Sequence, residues 1–221
     1  MICITGDMHA DFLRFKNKKL NRLKKGDYLI ICGDFGFIWD GSKKEKRILK
    51  KIGKLKYNVL FVDGCHENYG LLKQYEETDW NGGKAKIISG KLVYLQRGYI
   101  YTLGDRKILA FGGGHSDDID IRRESNTWWK EEAVSAEEIR RCEKSLEKSG
   151  NIVDYIITHE PPASLNEFLS IRRETKTEMN AYFDILKSKC RFKRWFFGKH
   201  HINKVIPPQF HALFDDLIFI D

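Results

Sequence analysis

Three short apolar runs, ICIT at 2–5, YLIIC at 28–32 and NVLFVD at 58–63, are set apart by lysine-rich stretches, and each runs straight into a polar, glycine-bearing loop. Runs of this length, rich in branched residues and bounded by glycine, read as buried strands. The stretches between them, KNKKLNRLKK at 16–25 and KKEKRILKKIGKLK at 43–56, suit amphipathic helices. A strand-helix-strand-helix-strand opening implies neighbouring parallel strands. The loops at the carboxyl ends of such strands converge on one crevice, so GDMHAD, GDFGFIWDG and GCHENYG are expected to share a site.

The middle of the chain changes character. AKIIS, KLVYL, GYIYTL and RKILAFGGG are short, closely spaced and separated by turn residues, as in an antiparallel meander, and a second sheet stacked on the first is the simple solution. Ser135 followed by Glu138 forms a capping box for a helix running to about Gly150. The strand VDYIIT ends at His159, where Pro161 and Pro162 block its continuation. A helix near 178–189, the strand RWFFG at 194–198 running into KHH, and the final strands KVI, HALF and DLIFI complete the chain. The expected fold is α/β (α+β), two stacked β-sheets flanked by helices, in one domain over residues 1–221.

The 42% hydrophobic and 32% charged content excludes a disordered or fibrous chain. No apolar run reaches membrane-spanning length, and the first residues lack a basic region followed by a long apolar stretch, so neither a membrane segment nor an export signal is expected. Five cysteines without CxxC spacing argue against a disulfide framework and a structural zinc knot, and fit reduced thiols in the cytoplasm. The net charge of +8 resides largely in the two lysine-rich stretches. Neither is interleaved with stacking aromatics, so they read as solvated faces rather than a nucleic-acid surface, although their field attracts phosphorylated substrates.

Five loops after expected strands hold nearly all the Asp and His residues without a structural reason: Asp7 and His9, Asp34, His66 with Glu67, His159, and His200 with His201. Carboxylates and imidazoles of this kind bind hard or borderline divalent ions. The Asp-x-His spacing puts Asp7 and His9 on one side of an extended segment, where one ion can be chelated by both. A single such pair is weak evidence, and its repetition across loops is strong.

The ordered matches ITGDMH, ICGDF, DGCHE, IITHE and FGKHH resemble the calcineurin-like metallophosphoesterases, whose pattern is D-x-H, GD, GNH(D/E), a lone His and GHxH. GDFGFIWDGS and KRWFFG further resemble a small bacterial and phage branch of that family. The resemblance implies that Asp7, His9 and His201 hold a first metal, Asp34 bridges, and His159 holds a second. It implies that His66 is the general acid for the leaving oxygen, oriented by Asp34 or Glu67. The implied reaction is hydrolysis of a phosphomonoester or phosphodiester by in-line attack of a metal-bound hydroxide, without a covalent phosphoenzyme. Its cofactor would be one or two divalent ions of the Mn, Fe, Zn or Mg type, with Mn the expected choice in vitro. Its substrate would be a nucleotide, a phosphoprotein or a nucleic acid.

Two positions depart from the pattern. Cys65 stands where the family has Asn, and Lys199 where it has the first His of GHxH, and in the family both serve the second metal. Singly, Cys65 reads as a small buried residue and Lys199 as a solvated one. Together they point to an altered second half-site, in which either a Cys65 thiolate ligates a softer ion or, as we favour, the Lys199 ammonium stands in for a cation. A degenerate, non-catalytic binder of a phosphorylated ligand or nucleic acid is the competing reading, and the retained Asp7, His9, Asp34 and His201 favour catalysis. His200 occupies the variable position of its motif, as bystander or substitute ligand. His115 in FGGGHSDD and Arg97 in LQRGY read as ordinary polar partners, Trp128 and Trp129 as packing residues, and His211 has no informative context.

Overall fold

A computed structural model describes residues 1–169 and 176–220. Its elements are β1 (Ile2–Thr5), β2 (Tyr28–Cys32), α1 (Lys43–Gly53), β3 (Asn58–Val62), α2 (Tyr69–Leu72), β4 (Glu77–Trp80), β5 (Gly83–Ser89), β6 (Leu92–Leu95), β7 (Tyr99–Leu103), β8 (Arg106–Phe111) and α3 (Ile119–Glu124). They continue with α4 (Ala136–Lys148), β9 (Tyr155–Thr158), α5 (Ala163–Leu169), α6 (Glu178–Lys189), β10 (Arg194–Phe197), β11 (Lys204–Ile206), β12 (Phe210–Ala212) and β13 (Ile218–Ile220).

The strands form two sheets, ordered β13-β1-β2-β3-β6-β5-β4 and β11-β12-β10-β9-β8-β7. In each, four adjacent strands are parallel, namely β1, β2, β3 and β6 in the first and β8, β9, β10 and β12 in the second. Antiparallel strands close both edges of each sheet.

Strand periodicity explains the layering, because alternate side chains of a strand face opposite sides of its sheet. Ile2, Ile4, Ile30, Cys32, Leu60 and Val62 point inward against Ile108, Ala110, Tyr155, Ile157 and Phe196 of the second sheet. Their neighbours Cys3, Leu29, Ile31, Val59 and Phe61 face outward beneath Leu49 and Ile52 of α1. On the far side Leu109, Phe111, Ile156, Trp195 and Phe197 pack under Cys142 and Leu146 of α4 and Phe183 and Leu186 of α6. The Ser135–Glu138 capping box of α4 is formed as expected. Among the described residues no helix is long and apolar enough to cross a membrane.

Two expectations are corrected. The stretch at 16–25 does not form an amphipathic helix, but two short 3-10 turns, Phe12–Lys16 and Lys18–Arg22. The reason is local: the side chains of Asp11 and Asn17 accept hydrogen bonds from the backbone of Leu13 and Lys19, and Asn17 sits between the turns with a non-helical ψ of 125°. The four middle strands are also not one meander. β5 and β6 complete the first sheet, with β6 running parallel to β3, whereas β7 and β8 pass to the second.

Candidate metal centre

Parallel strands in both layers deliver their following loops to one end of the molecule. The loops are tied to one another: the backbone amides of Met8 and His9 donate to the Asp34 carbonyl at 3.0 and 2.9 Å. The buried Glu67 carboxylate accepts from the amides of Phe35 at 2.6 Å and Gly36 at 3.3 Å. Glu67 therefore pins the loop after β2, and it is Asp34 that orients His66.

Glycines ahead of two of the loops make room for side chains arriving from others. A Cβ at Gly64 would lie 2.1 Å from Asp34 Oδ1, and one at Gly198 would lie 2.1 Å from Asp7 Oδ1. Elsewhere the backbone itself is forced. His9, Asp34, Lys199 and His201 have φ of 43°, 41°, 67° and 49°, a left-handed conformation that non-glycine residues adopt at a cost.

Three groups of donor atoms result, each with its members within 4.8 Å of one another: Asp7, His9 and His201; His9, Asp34 and His66; and Asp34, Cys65 and His159. His9 Nε2 and His201 Nε2 are 2.9 Å apart, and His201 Nε2 lies 3.3 Å from Asp7 Oδ2. Asp34 Oδ2 is 2.8 Å from His66 Nδ1 and 3.9 Å from His9 Nε2, while its Oδ1 is 3.6 Å from His159 Nε2.

Asp7 tests whether this set fits a cation. Its carboxylate is fully buried, and neither oxygen receives a hydrogen bond of acceptable geometry, although His159 Nδ1 approaches Oδ1 to 3.2 Å. A buried carboxylate left in that state is destabilising by several kcal/mol unless a positive charge faces it. The titration behaviour agrees. Burial alone would depress the basicity of His159, yet the Asp34 and Asp7 carboxylates raise its pKa well above the ordinary imidazole value. The hydrogen bond to Asp34 likewise pushes His66 up to about 10. The cluster draws positive charge to itself, and the protons it holds are those a divalent ion would displace. The donor set fits a metal.

The sequence model for the calcineurin-like phosphoesterases matches residues 1–205, nearly the whole chain. The protein belongs to the calcineurin-like phosphoesterase family. Family membership and the convergent ligand groups support a metal-dependent phosphoesterase that uses divalent ions. Comparison with curated proteins returns no matching sequence.

Within this phosphoesterase the two departures meet. Cys65 is buried, with Sγ 3.5 Å from His159 Nε2, 3.4 Å from His66 Nδ1 and 3.9 Å from Asp34 Oδ2. Lys199 Nζ stands 3.6 Å from the same sulfur, donates to the His115 carbonyl and faces Glu160 Oε1 at 3.8 Å. Its side chain is only 13% exposed, so it is not a solvated loop lysine. Burial works against both charged forms. The hydrogen bonds from His159 and His66 and the Lys199 charge nevertheless bring the Cys65 thiol below its usual range, and Cys65 and Glu160 hold the ammonium above its own.

Several residues serve the centre from behind. His115 contributes its backbone, donating to Glu160 Oε1 at 2.6 Å, and Asn180 donates to the other Glu160 oxygen at 2.6 Å. Arg122 donates to the Cys65 carbonyl at 2.7 Å and holds the segment after β8 against the loop after β3. His200 falls outside the three donor groups and lies edge-on to Phe197. Trp129 meets Trp39 edge-on and Trp128 carries Arg123 over its ring, both packing roles. Glu160, Arg122 and Asp63 were not singled out from sequence; only the position of Glu160 directly after His159 hinted at a role.

Arg97 is buried against Asp63, which follows β3 and leads into Gly64-Cys65-His66. Its Nε donates to Asp63 Oδ2 at 2.9 Å, and its other nitrogens reach the carbonyls of Glu131, Glu132 and Ala133. It is a brace, not a phosphate ligand. Removing one member of such a pair strands a buried charge, so Arg97→Ala is expected to lower stability by about 3–5 kcal/mol in urea unfolding. A loss under about 1 kcal/mol, the range of an exposed pair, would contradict the brace.

Proposed function

We propose that the protein hydrolyses a phosphomonoester or phosphodiester, of nucleotide, phosphoprotein or nucleic-acid origin, with a divalent cation held by Asp7, His9 and His201 beside Asp34. The observation that carries this reading is the buried Asp7 carboxylate without a satisfactory hydrogen bond, facing two imidazole nitrogens 2.9 Å apart. A cation bound there would supply Lewis acidity toward the phosphoryl oxygens and lower the pKa of water. Asp34 joins the donor groups and, through the 2.8 Å contact to Nδ1, fixes the His66 ring with Nε2 free to donate a proton to the leaving oxygen. The exposed faces of His9, His66 and His201 leave room for the ester to approach. Five free, buried cysteines support residence in a reducing compartment such as the cytoplasm.

Lys199 supports a single tight cation. Two unit charges about 4 Å apart repel by roughly 4 kcal/mol at the effective permittivity near a protein surface, and a divalent ion at Asp34, Cys65 and His159 would face the ammonium at comparable range. The fixed charge instead supplies a point-like partner for phosphate.

Manganese-loaded protein is expected to turn over p-nitrophenyl phosphate or bis-p-nitrophenyl phosphate and to contain about one tight ion per chain, rising to about two in Cys65→Asn/Lys199→His. Elemental analysis with anomalous diffraction reads the count. Absence of turnover on both esters and on a nucleotide panel would sink the hydrolase reading. Two full ions in the wild type, one bonded to Cys65 Sγ, would favour a thiolate site instead.

A further inference from the structure

The segment after β8 sets two adjacent carboxylates against the solvent side of the centre. Asp118 Oδ1 lies 3.9 Å from His66 Nε2, the atom left for the leaving group, and Asp117 Oδ2 lies 4.0 Å from Lys199 Nζ. Both side chains are largely solvent-exposed, at 47% and 76%, so they stand at the mouth of the site rather than within it.

Asp118 precedes α3 in the N-cap position but makes no side-chain capping hydrogen bond. Lys199 is already satisfied by the His115 carbonyl and Glu160, and His66 by Asp34. The charge of the two carboxylates is not offset by the arginines that reach the centre. Arg14 is committed to Thr5, Asp7 and Phe214, Arg122 to Cys65, Ser116 and Thr127, and Arg97 to Asp63.

A phosphoryl group seated between His66 and Lys199 therefore shares those positively charged partners with two carboxylates. A monoester brings a dianion at neutral pH and so sets a second negative charge against them. A diester brings one negative charge and presents an uncharged ester oxygen in its place. We infer that Asp117 and Asp118 make the centre selective for phosphodiesters over phosphomonoesters. This specificity rests on the phosphoesterase reading above and narrows it to one substrate class.

The test compares bis-p-nitrophenyl phosphate with p-nitrophenyl phosphate, which share a leaving group, on manganese-loaded wild type and on Asp117→Asn, Asp118→Asn and the double variant. Asparagine keeps the shape and removes only the charge. The wild type is expected to favour the diester in kcat/KM, and the double variant to shift the ratio toward the monoester by about tenfold, an effect that shrinks with added salt. Calorimetry supplies a readout independent of turnover. Inorganic phosphate, a dianion at pH 8, is expected to bind the double variant about tenfold more tightly, and dimethyl phosphate, a monoanion, only about threefold more tightly. A wild-type preference for the monoester, or a double variant in which neither the ratio nor phosphate affinity moves, overturns the inference. If the wild type turns over neither ester, the hydrolase reading fails, and the phosphate and dimethyl phosphate titrations still decide the selectivity.

Discussion

Asp34→Asn is expected to lower manganese affinity and turnover by at least about a hundredfold each, because its carboxylate links the donor group around His9 and His66 to the one around Cys65 and His159. Its carboxylate lies within 4 Å of His9, His66, Cys65 and His159 together. An amide removes the charge and presents a donor where imidazoles need an acceptor. His9→Ala, which removes one ligand of the Asp7 and His201 group, is expected to act in the same direction. Isothermal titration with manganese and initial-rate assays read the two effects, with the melting temperature as a control for folding. Near-normal binding and turnover in both variants would dismiss the assignment of these loops to a metal.

His66→Ala is expected to separate chemistry from binding. Removal of a general acid typically costs about a hundred- to ten-thousand-fold, and the loss should fall on esters with poor alkyl leaving groups while activated aryl esters are spared in part. Metal content should stay at the wild-type level, since Asp7, His9 and His201 are untouched. Equal losses for alkyl and aryl esters would contradict the proton-donor role, and loss of the ion would recast His66 as a ligand.

The strands were legible because their chemistry is local. The runs ICIT, YLIIC and NVLFVD alternate between two buried faces with a period of two, and glycine marks where each one stops. The assignment of the middle strands was not legible, because whether β7 joins the first sheet or the second depends on partners distant in sequence. The 16–25 stretch misled because lysine spacing there mimics a helix, while Asn17 decides the outcome through one side-chain hydrogen bond.

The site divides in the same way. Asp7, His9, Asp34, His66, His159 and His201 stand on a recognisable order of loops, and the structure brings them together. The meeting of Cys65 with Lys199, 134 positions apart, requires the loops after β3 and β10 to face each other from different sheets. Asp117 and Asp118 were visible only as the tail of GGGHSDD, and nothing in that string says they turn toward His66 and Lys199.

The left-handed backbone at His9, Asp34, Lys199 and His201 bears on how this chain can change. Glycine would relax each of those positions, so any selection or screen for thermal robustness is drawn toward them. Every such gain would erase a side chain of the centre. At these four residues backbone relief and the capacity for chemistry are therefore opposed, and a relative with glycine at these positions would be a scaffold that had kept the fold and discarded the reaction.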